Sequence, residues 1–257
     1  MTTPIMELTG RVRALFTDLD GTLTSDGRVE AKTSALLEKL EAAGIPIVVV
    51  TGRPAGWGQA IATLVGAAAV VTENGGVTFI REGGRLEKLY GVPAATLPEW
   101  RRRMHASAVD ATADVPGARL SSDSRYREVD LAIDWNEEAD LTVEDAERVG
   151  SRLREAGFAA VRSSVHVNFG PPEFDKLSAC KTVVRRAFGG DPADLSPYVF
   201  VGDALNDASM FEGFPRSVGV KNVARWWDDL AAKPKFLTTF EEGAGFREVA
   251  ERALTLG

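Results

Sequence analysis

At 257 residues, with 44% apolar and 26% charged side chains, the chain is long enough for one large globular domain or two modest ones. Its net charge of −7 argues against a nucleic-acid partner, which selects a basic face, but leaves room for a small phosphorylated partner held by a local cationic site. No run approaches ~18 apolar residues, residues 1–13 lack a signal-peptide core, and the single cysteine, Cys180, excludes an internal disulfide; a cytoplasmic protein with no membrane partner is the expectation.

The stretch Val12–Thr22 begins as a short apolar run and ends in Asp18, Asp20 and Gly21. A run of that length closed by a turn signal predicts a strand buried in a parallel sheet, with its carboxylates at the end where α/β sheets bind ligands. Leu36, Leu37, Leu40 and Ala43 recur at helical spacing over 30–43, and Gly44 stops the helix. Ile45–Val50 is a second buried run, ending in Thr51-Gly52-Arg53-Pro54, with Pro54 suited to the first turn of the next helix. Ala69–Thr72 is a third, ending in Glu73-Asn74-Gly75-Gly76. Strand-like runs separated by helical stretches imply βαβ units in a parallel sheet.

The pattern then changes. Val77–Ile80 and Arg85–Tyr90 flank Glu82-Gly83-Gly84 as a hairpin, and a helix is predicted over 98–108. Val129–Trp135 alternates as a half-buried strand, 141–156 reads as a helix closed by Gly157, and Ala159–Phe169 reads as one further strand. These form an α+β unit of their own, placed at 83–165. Pro171-Pro172 marks re-entry to the first unit, followed by a helix over 175–188, which takes in Cys180 as a packing residue. Tyr198–Val201 is a fourth buried run, ending in Gly202-Asp203-Ala204-Leu205-Asn206-Asp207; short strands at 217–220 and 235–238 and a helix over 246–254 complete the chain.

Asp18, Asp20, Asp203 and Asp207 are thus expected to converge at the ends of two strands. Like charges that close raise one another's pKa or hold a cation between them. An oxygen-rich cluster without cysteine or histidine suits Mg2+, a hard ion that shares a substrate phosphate. Facing it are phosphate-binding groups: Thr51, the amides around Gly52, Arg53 and one lysine of the 175–188 helix. A metal and cations around a carboxylate suit phosphoryl transfer.

Taken in order, Asp18-Leu19-Asp20-Gly21-Thr22, Thr51-Gly52-Arg53, a later lysine and Gly202-Asp203-Ala204-Leu205-Asn206-Asp207 resemble the haloacid dehalogenase-like (HAD) hydrolase superfamily over nearly the whole chain. The pattern is most similar to the Cof-type, subfamily IIB sugar-phosphate phosphatases. The resemblance implies an α/β fold: a Rossmann-like parallel-sheet core of residues 1–82 and 166–257, with a smaller α+β cap, 83–165, inserted between the second and third motifs. It also implies that Asp18 is the nucleophile, forming an aspartyl-phosphate, and that Asp20 protonates the leaving oxygen and then activates water. Thr51, Gly52, Arg53 and Lys176 would bind phosphate. Asp18, Asp203 and the Asp20 carbonyl would hold Mg2+, with Asp207 a supporting partner or a further ligand.

Lys176 and Lys181 are about 140° apart around their helix, so only one can point at the site, and Lys176 sits in the first turn where an anion is favoured. Between Asp18 and Thr51 there are too few residues for an inserted domain, whereas the Thr51–Lys176 interval accommodates one. Such a cap excludes water and reads the leaving group. Asn74 and Arg125, with Tyr126 and Arg127, are the candidates for substrate contact; His105 and His166 have no partner identifiable from the sequence. The reading is a magnesium-dependent phosphoric monoester hydrolase acting on a small, sugar-like phosphorylated metabolite, as a monomer or homodimer. A phosphosugar mutase or phosphotransferase, or a non-catalytic binding member of the fold, is the alternative.

Overall fold

The computed structural model describes residues 2–257. Its strands are β1 (Thr3–Pro4), β2 (Ala14–Thr17), β3 (Ile47–Val50), β4 (Ala69–Thr72), β5 (Val77–Glu82), β6 (Arg85–Tyr90), β7 (Arg119–Leu120), β8 (Leu131–Asp134), β9 (Ala159–Arg162), β10 (His166–Gly170), β11 (Tyr198–Gly202), β12 (Ser217–Gly219) and β13 (Phe236–Leu237). The helices are α1 (Ala31–Ala42), α2 (Ala55–Leu64), α3 (Leu97–Thr112), α4 (Val143–Glu155), α5 (Lys176–Phe188), α6 (Ala208–Gly213) and α7 (Glu242–Thr255). Among the described residues no helix is long and apolar enough to cross a membrane.

Nine strands form one sheet in the order β1-β13-β12-β11-β2-β3-β4-β5-β6. Every pair from β1 to β4 along that order is parallel, and the last two are antiparallel. The central strands are buried on both faces, which is why they read as unbroken apolar runs. Alternate residues divide between two cores: Leu15, Val49, Val70 and Val199 pack with α1, α2 and α7, whereas Phe16, Val48, Val71 and Phe200 pack with α5 and α6. Fully burying a side chain of this kind is worth about 1.5–3 kcal/mol, so the strand ends that carry the polar motifs rest on a stiff base. The α/β expectation holds.

The second sheet is antiparallel, β7-β8-β10-β9, backed by α3 and α4 around Met104, Ile133, Val149, Phe158 and Phe169. Three details depart from the sequence reading. Arg85–Tyr90, expected to open the inserted unit, pairs with β5 at the edge of the large sheet, because the 82–84 turn only folds the chain back on its own strand. His166–Gly170, expected on the core side, is a central strand of the small sheet. Ala159–Phe169 is a hairpin rather than one strand: Ser163 Oγ accepts from the Val165 and His166 amides at 3.4 and 3.1 Å and closes the turn. That turn points at the carboxyl ends of the large sheet.

Strand β8 corrects a fourth expectation. Leu131, Ile133 and the following Trp135 enter the cap's apolar core as anticipated, but Asp130, Ala132 and Asp134 are buried too. The polar face that read as solvated is turned toward the large sheet and is covered by it.

Candidate active site

Strands β2 and β11 are parallel neighbours, and the chain beyond each delivers a carboxylate to the same place. Asp18 follows β2 directly, its amide donating to Val201 O at 2.8 Å, and Asp203 follows β11. Gly21 takes φ +73°, and a Cβ there would lie 2.8 Å from Asp203 Oδ2, so the turn after Asp20 needs glycine both for conformation and for room. Thr22 Oγ1 and Asn222 Nδ2 donate to the two Asp203 oxygens at 2.8 and 2.9 Å. Asp207 Oδ2 accepts from the Asp203 and Ala204 amides at 3.0 and 3.2 Å, which ties the loop after β11 into shape.

Lys176 completes the cluster. Asp175 and Ser178 cap α5 reciprocally, so Lys176 is its first helical residue. Its Nζ donates to Asp18 Oδ1 at 2.9 Å and Asp207 Oδ1 at 2.7 Å, entirely out of solvent. Lys181 lines neither cavity near the cluster. Burial alone would lower the Lys176 ammonium, but Asp18 and Asp207 overcome it and hold the proton more tightly than usual. Burial pushes the Asp18 carboxyl far up, with Lys176 opposing and Asp207 and Asp203 reinforcing; burial and Asp207 push Asp203 to about 7.

Oxygens of Asp18, Asp203 and Asp207 all lie within 4.8 Å of one another. When ionised, three carboxylates face one lysine, and the donors are oxygen alone, a set that fits a hard divalent cation. Asp207 already serves Lys176 and two amides, which makes it the support of the cluster rather than its open face. The Asp20 side chain lies outside the cluster.

The Thr51-Gly52-Arg53 turn follows β3, next to β2. Thr51 is buried, and its Oγ1 accepts from the Arg53 amide at 3.0 Å. The Arg53 side chain was expected to reach for phosphate. Instead its Nε and Nη2 hold the two Asp20 oxygens at 2.9 and 3.0 Å, and its Nη1 donates to Glu137 Oε1 at 2.8 Å. The guanidinium also lies over the Trp57 ring. Glu137 is presented by Asp134, which accepts from the Glu137 amide, and its other oxygen lies 2.8 Å from His166 Nε2. The close approach of His166, with Arg53, holds the Glu137 carboxyl at about 2. Hydrogen bonds therefore run from Asp20 through Arg53 to Glu137, beside His166, from the large sheet into the small one.

Of the four candidates for substrate contact, Asn74 is at the site, whereas Arg125 and Tyr126 are exposed at the surface. Asn74, in the left-handed region at φ +53°, accepts from Asn206 Nδ2 at 3.2 Å beside Lys176. Arg125 is exposed and stacks on Tyr126 at the surface, because the short helical turn 122–126 faces it outward. Arg127 goes inward: wholly buried, it pairs with Asp123 and Asp130 and donates to Gly52 O at 3.0 Å.

Sequence reasoning missed Glu73, Glu137, His166, Asn168 and Asn222. Glu73 is fully buried and accepts four backbone N–H bonds, from Ala55, Glu128, Val129 and Asp130, at 2.6–2.9 Å, pinning the start of β8 to the end of β4. Its position after a buried strand was a signal; three of its four partners lie more than fifty residues away. The hairpin turn Ser163–His166 and Asn168 roof a narrow cleft whose floor is Asp18, Asp20, Thr51, Gly52 and Arg53.

The chain is similar to known proteins over most of its length. Residues 15–90 match the family model described as haloacid dehalogenase-like hydrolase. The chain is 29% identical over 246 residues to the phosphoglycolate phosphatase of Halobacterium salinarum, across 93% of this chain and 96% of that protein. Its fold is shared with a Thermoplasma acidophilum protein, 0175 (TM-score 0.74, 18% identity, 95% and 99% of the two chains). A sugar phosphatase of HAD subclass IIB also shares it (TM-score 0.62, 18% identity, 95% and 98%).

Proposed function

We propose that this chain, which matches the haloacid dehalogenase-like hydrolase model over residues 15–90, hydrolyses a phosphate monoester of a small metabolite through Asp18 and Asp20. The observation that carries the reading is the buried Asp18, at a strand end, paired with Lys176 and facing the Thr51–Gly52 turn across a cleft between the two sheets. We place the core at 2–90 and 171–257 and the cap at 91–170, a reading supported by which strands join which sheet.

One Asp18 oxygen is bound to Lys176, leaving the other to attack phosphorus. As that O–P bond forms, the bond from phosphorus to the leaving oxygen breaks, and Asp20 delivers a proton to the leaving alcohol. Water then attacks the aspartyl-phosphate, gives a proton back to Asp20 and frees Asp18. Thr51 Oγ1 and the Gly52 amide are the phosphate donors, with Lys176 balancing the charge at Asp18. Arg53 acts on phosphate only through Asp20, which it grips with two donors. Asp18, Asp203 and the Asp20 carbonyl are the groups that would hold Mg2+, with Asp207 in support. When bound, the ion offsets the charge of cluster and phosphate together.

The relatives' names point to two substrate kinds, phosphoglycolate and sugar phosphates. Phosphate release measured across a panel of both, with Mg2+ and after exhaustive EDTA dialysis, tests the proposal. Release from at least one ester, lost on dialysis and restored by Mg2+, is expected; no release from any ester overturns it.

A further inference from the structure

Two amide side chains beside the phosphate turn, the buried Asn168 and the partly buried Asn74, have no use in the chemistry just described. Asn168, on β10 of the cap, is 2% exposed and lines both the cavity over Asp18 and an adjoining one that passes Lys176 and Asn74. Its Nδ2 lies between two oxygens, Gly52 O at 3.5 Å and Asp130 Oδ2 at 3.4 Å. These are long contacts, but they fix the amide's sense, because turning it over would set Oδ1 against two acceptors. Oδ1 is thereby aimed away from them, and it is buried without a donor.

Asn74 is the complement. Its Oδ1 takes the Asn206 bond, and its Nδ2 is buried without an acceptor. Both orphan atoms converge on Gly52: a Cβ there would lie 3.2 Å from Asn74 Nδ2 and 3.4 Å from Asn168 Oδ1. Buried polar atoms without partners are costly, and native proteins leave few of them. Here one free donor and one free acceptor each lie beside Gly52 of the phosphate turn, Asn74 following a strand of the large sheet and Asn168 on a strand of the small one.

We propose that Asn168 and Asn74 jointly bind a hydroxyl of the leaving group, which donates to Asn168 Oδ1 and accepts from Asn74 Nδ2. The inference rests on the phosphatase reading and narrows it to esters of polyols or sugars. A carboxylate can only accept, so at this place it would be set against Asn168 Oδ1 with Asp130 close behind. A hydroxyl satisfies both amides at once. A site built to bond a hydroxyl also rejects the analogue lacking it, because its amides are then left unpaired.

The test compares kcat/KM of the full-length protein on glycerol 1-phosphate, glucose 6-phosphate, propyl phosphate and 2-phosphoglycolate. At least one hydroxylated ester is expected to exceed propyl phosphate and 2-phosphoglycolate by tenfold or more. Asn168→Leu should lose at least tenfold more on that ester than on propyl phosphate, with the excess in KM. Asn74→Asp, which keeps a residue tolerant of the left-handed backbone, removes the donor and should shift the ranking in the same direction. A wild-type preference for 2-phosphoglycolate overturns the hydroxyl assignment while leaving the phosphatase reading intact; so do equal losses on all esters in both variants. No phosphate release from any ester removes the reading on which the subsite rests. The wild-type ranking alone decides the substrate class if a variant does not fold.

Discussion

The floor and the roof of this site are held by different forces. On the floor, ionisable groups are buried together: Asp18 and Asp207 pair with Lys176, Asp203 lies beside them, and Asp18 and Asp203 follow strands whose burial leaves them no freedom. The roof offers neutral hydrogen-bonding groups on a hairpin turn, Ser163–His166, and on Asn168, together with the half-buried Glu137. The two are joined by a rigid seam, where Glu73 collects four amides and Arg127 is sealed between two carboxylates, and by a softer one, where Arg53 meets Glu137. Changing the floor should therefore abolish turnover of every substrate alike, whereas changing the roof should reorder substrates or loosen the cap.

The sharpest test of that division is Asp18→Asn, which should lower kcat by 10³ or more on every ester, about 4 kcal/mol of transition-state stabilisation, in a protein that still folds. Retention of a few per cent of wild-type turnover would move the nucleophile elsewhere. Next is the rigid seam. Arg127→Met strands Asp123 and Asp130 in the interior and should cost about 3 kcal/mol or more in denaturant unfolding, as does breaking buried pairs generally. A loss below about 0.5 kcal/mol would put Arg127 among ordinary surface positions.

Lys176→Met should cost two or more orders of magnitude in kcat/KM, about 2.7 kcal/mol, against less than tenfold for Lys181→Met. The reverse ranking would transfer the role to Lys181. The smallest effect belongs to the soft seam. His166 and Arg53 hold the Glu137 carboxyl at about 2, below its ordinary 4.5, so the folded protein keeps it ionised where the unfolded chain takes up a proton. The stabilisation is thus complete above pH 4.5 and fades as pH falls toward 2. With Glu137 about 30% exposed, it should be on the order of 1–2 kcal/mol. The stability gap between wild type and Glu137→Gln, measured at pH 6 and pH 3, should shrink at the lower value; a gap that does not change with pH would remove the ionic contribution.

Much of the floor was legible along the chain. Asp18, Thr51, Asn74 and Asp203 each follow a strand that reads as an apolar run, and a parallel sheet brings such ends together whatever the rest of the chain does. Lys176 was legible from its place in the first turn of α5. Arg53 was placed correctly and given the wrong partner, since a guanidinium beside a phosphate turn and one gripping Asp20 look alike in sequence. The Ser163–Ser164 turn was overlooked because the run on either side is strand-like and carries no glycine or proline to mark the break.

What the sequence determined by itself is whatever depends on local spacing: the buried strands, the helices between them and the polar residue at each strand end. The tertiary structure alone decided the roof and its seams. Glu73 reaches amides at 128–130, Arg127 reaches Gly52, Glu137 reaches Arg53, and Asn168 faces Asn74. In each case the partners lie more than fifty residues apart on different sheets. Neither residue has a periodicity that announces the other, because a hydrogen bond between two rigid bodies depends on how those bodies dock, and docking is set by the packing of whole surfaces.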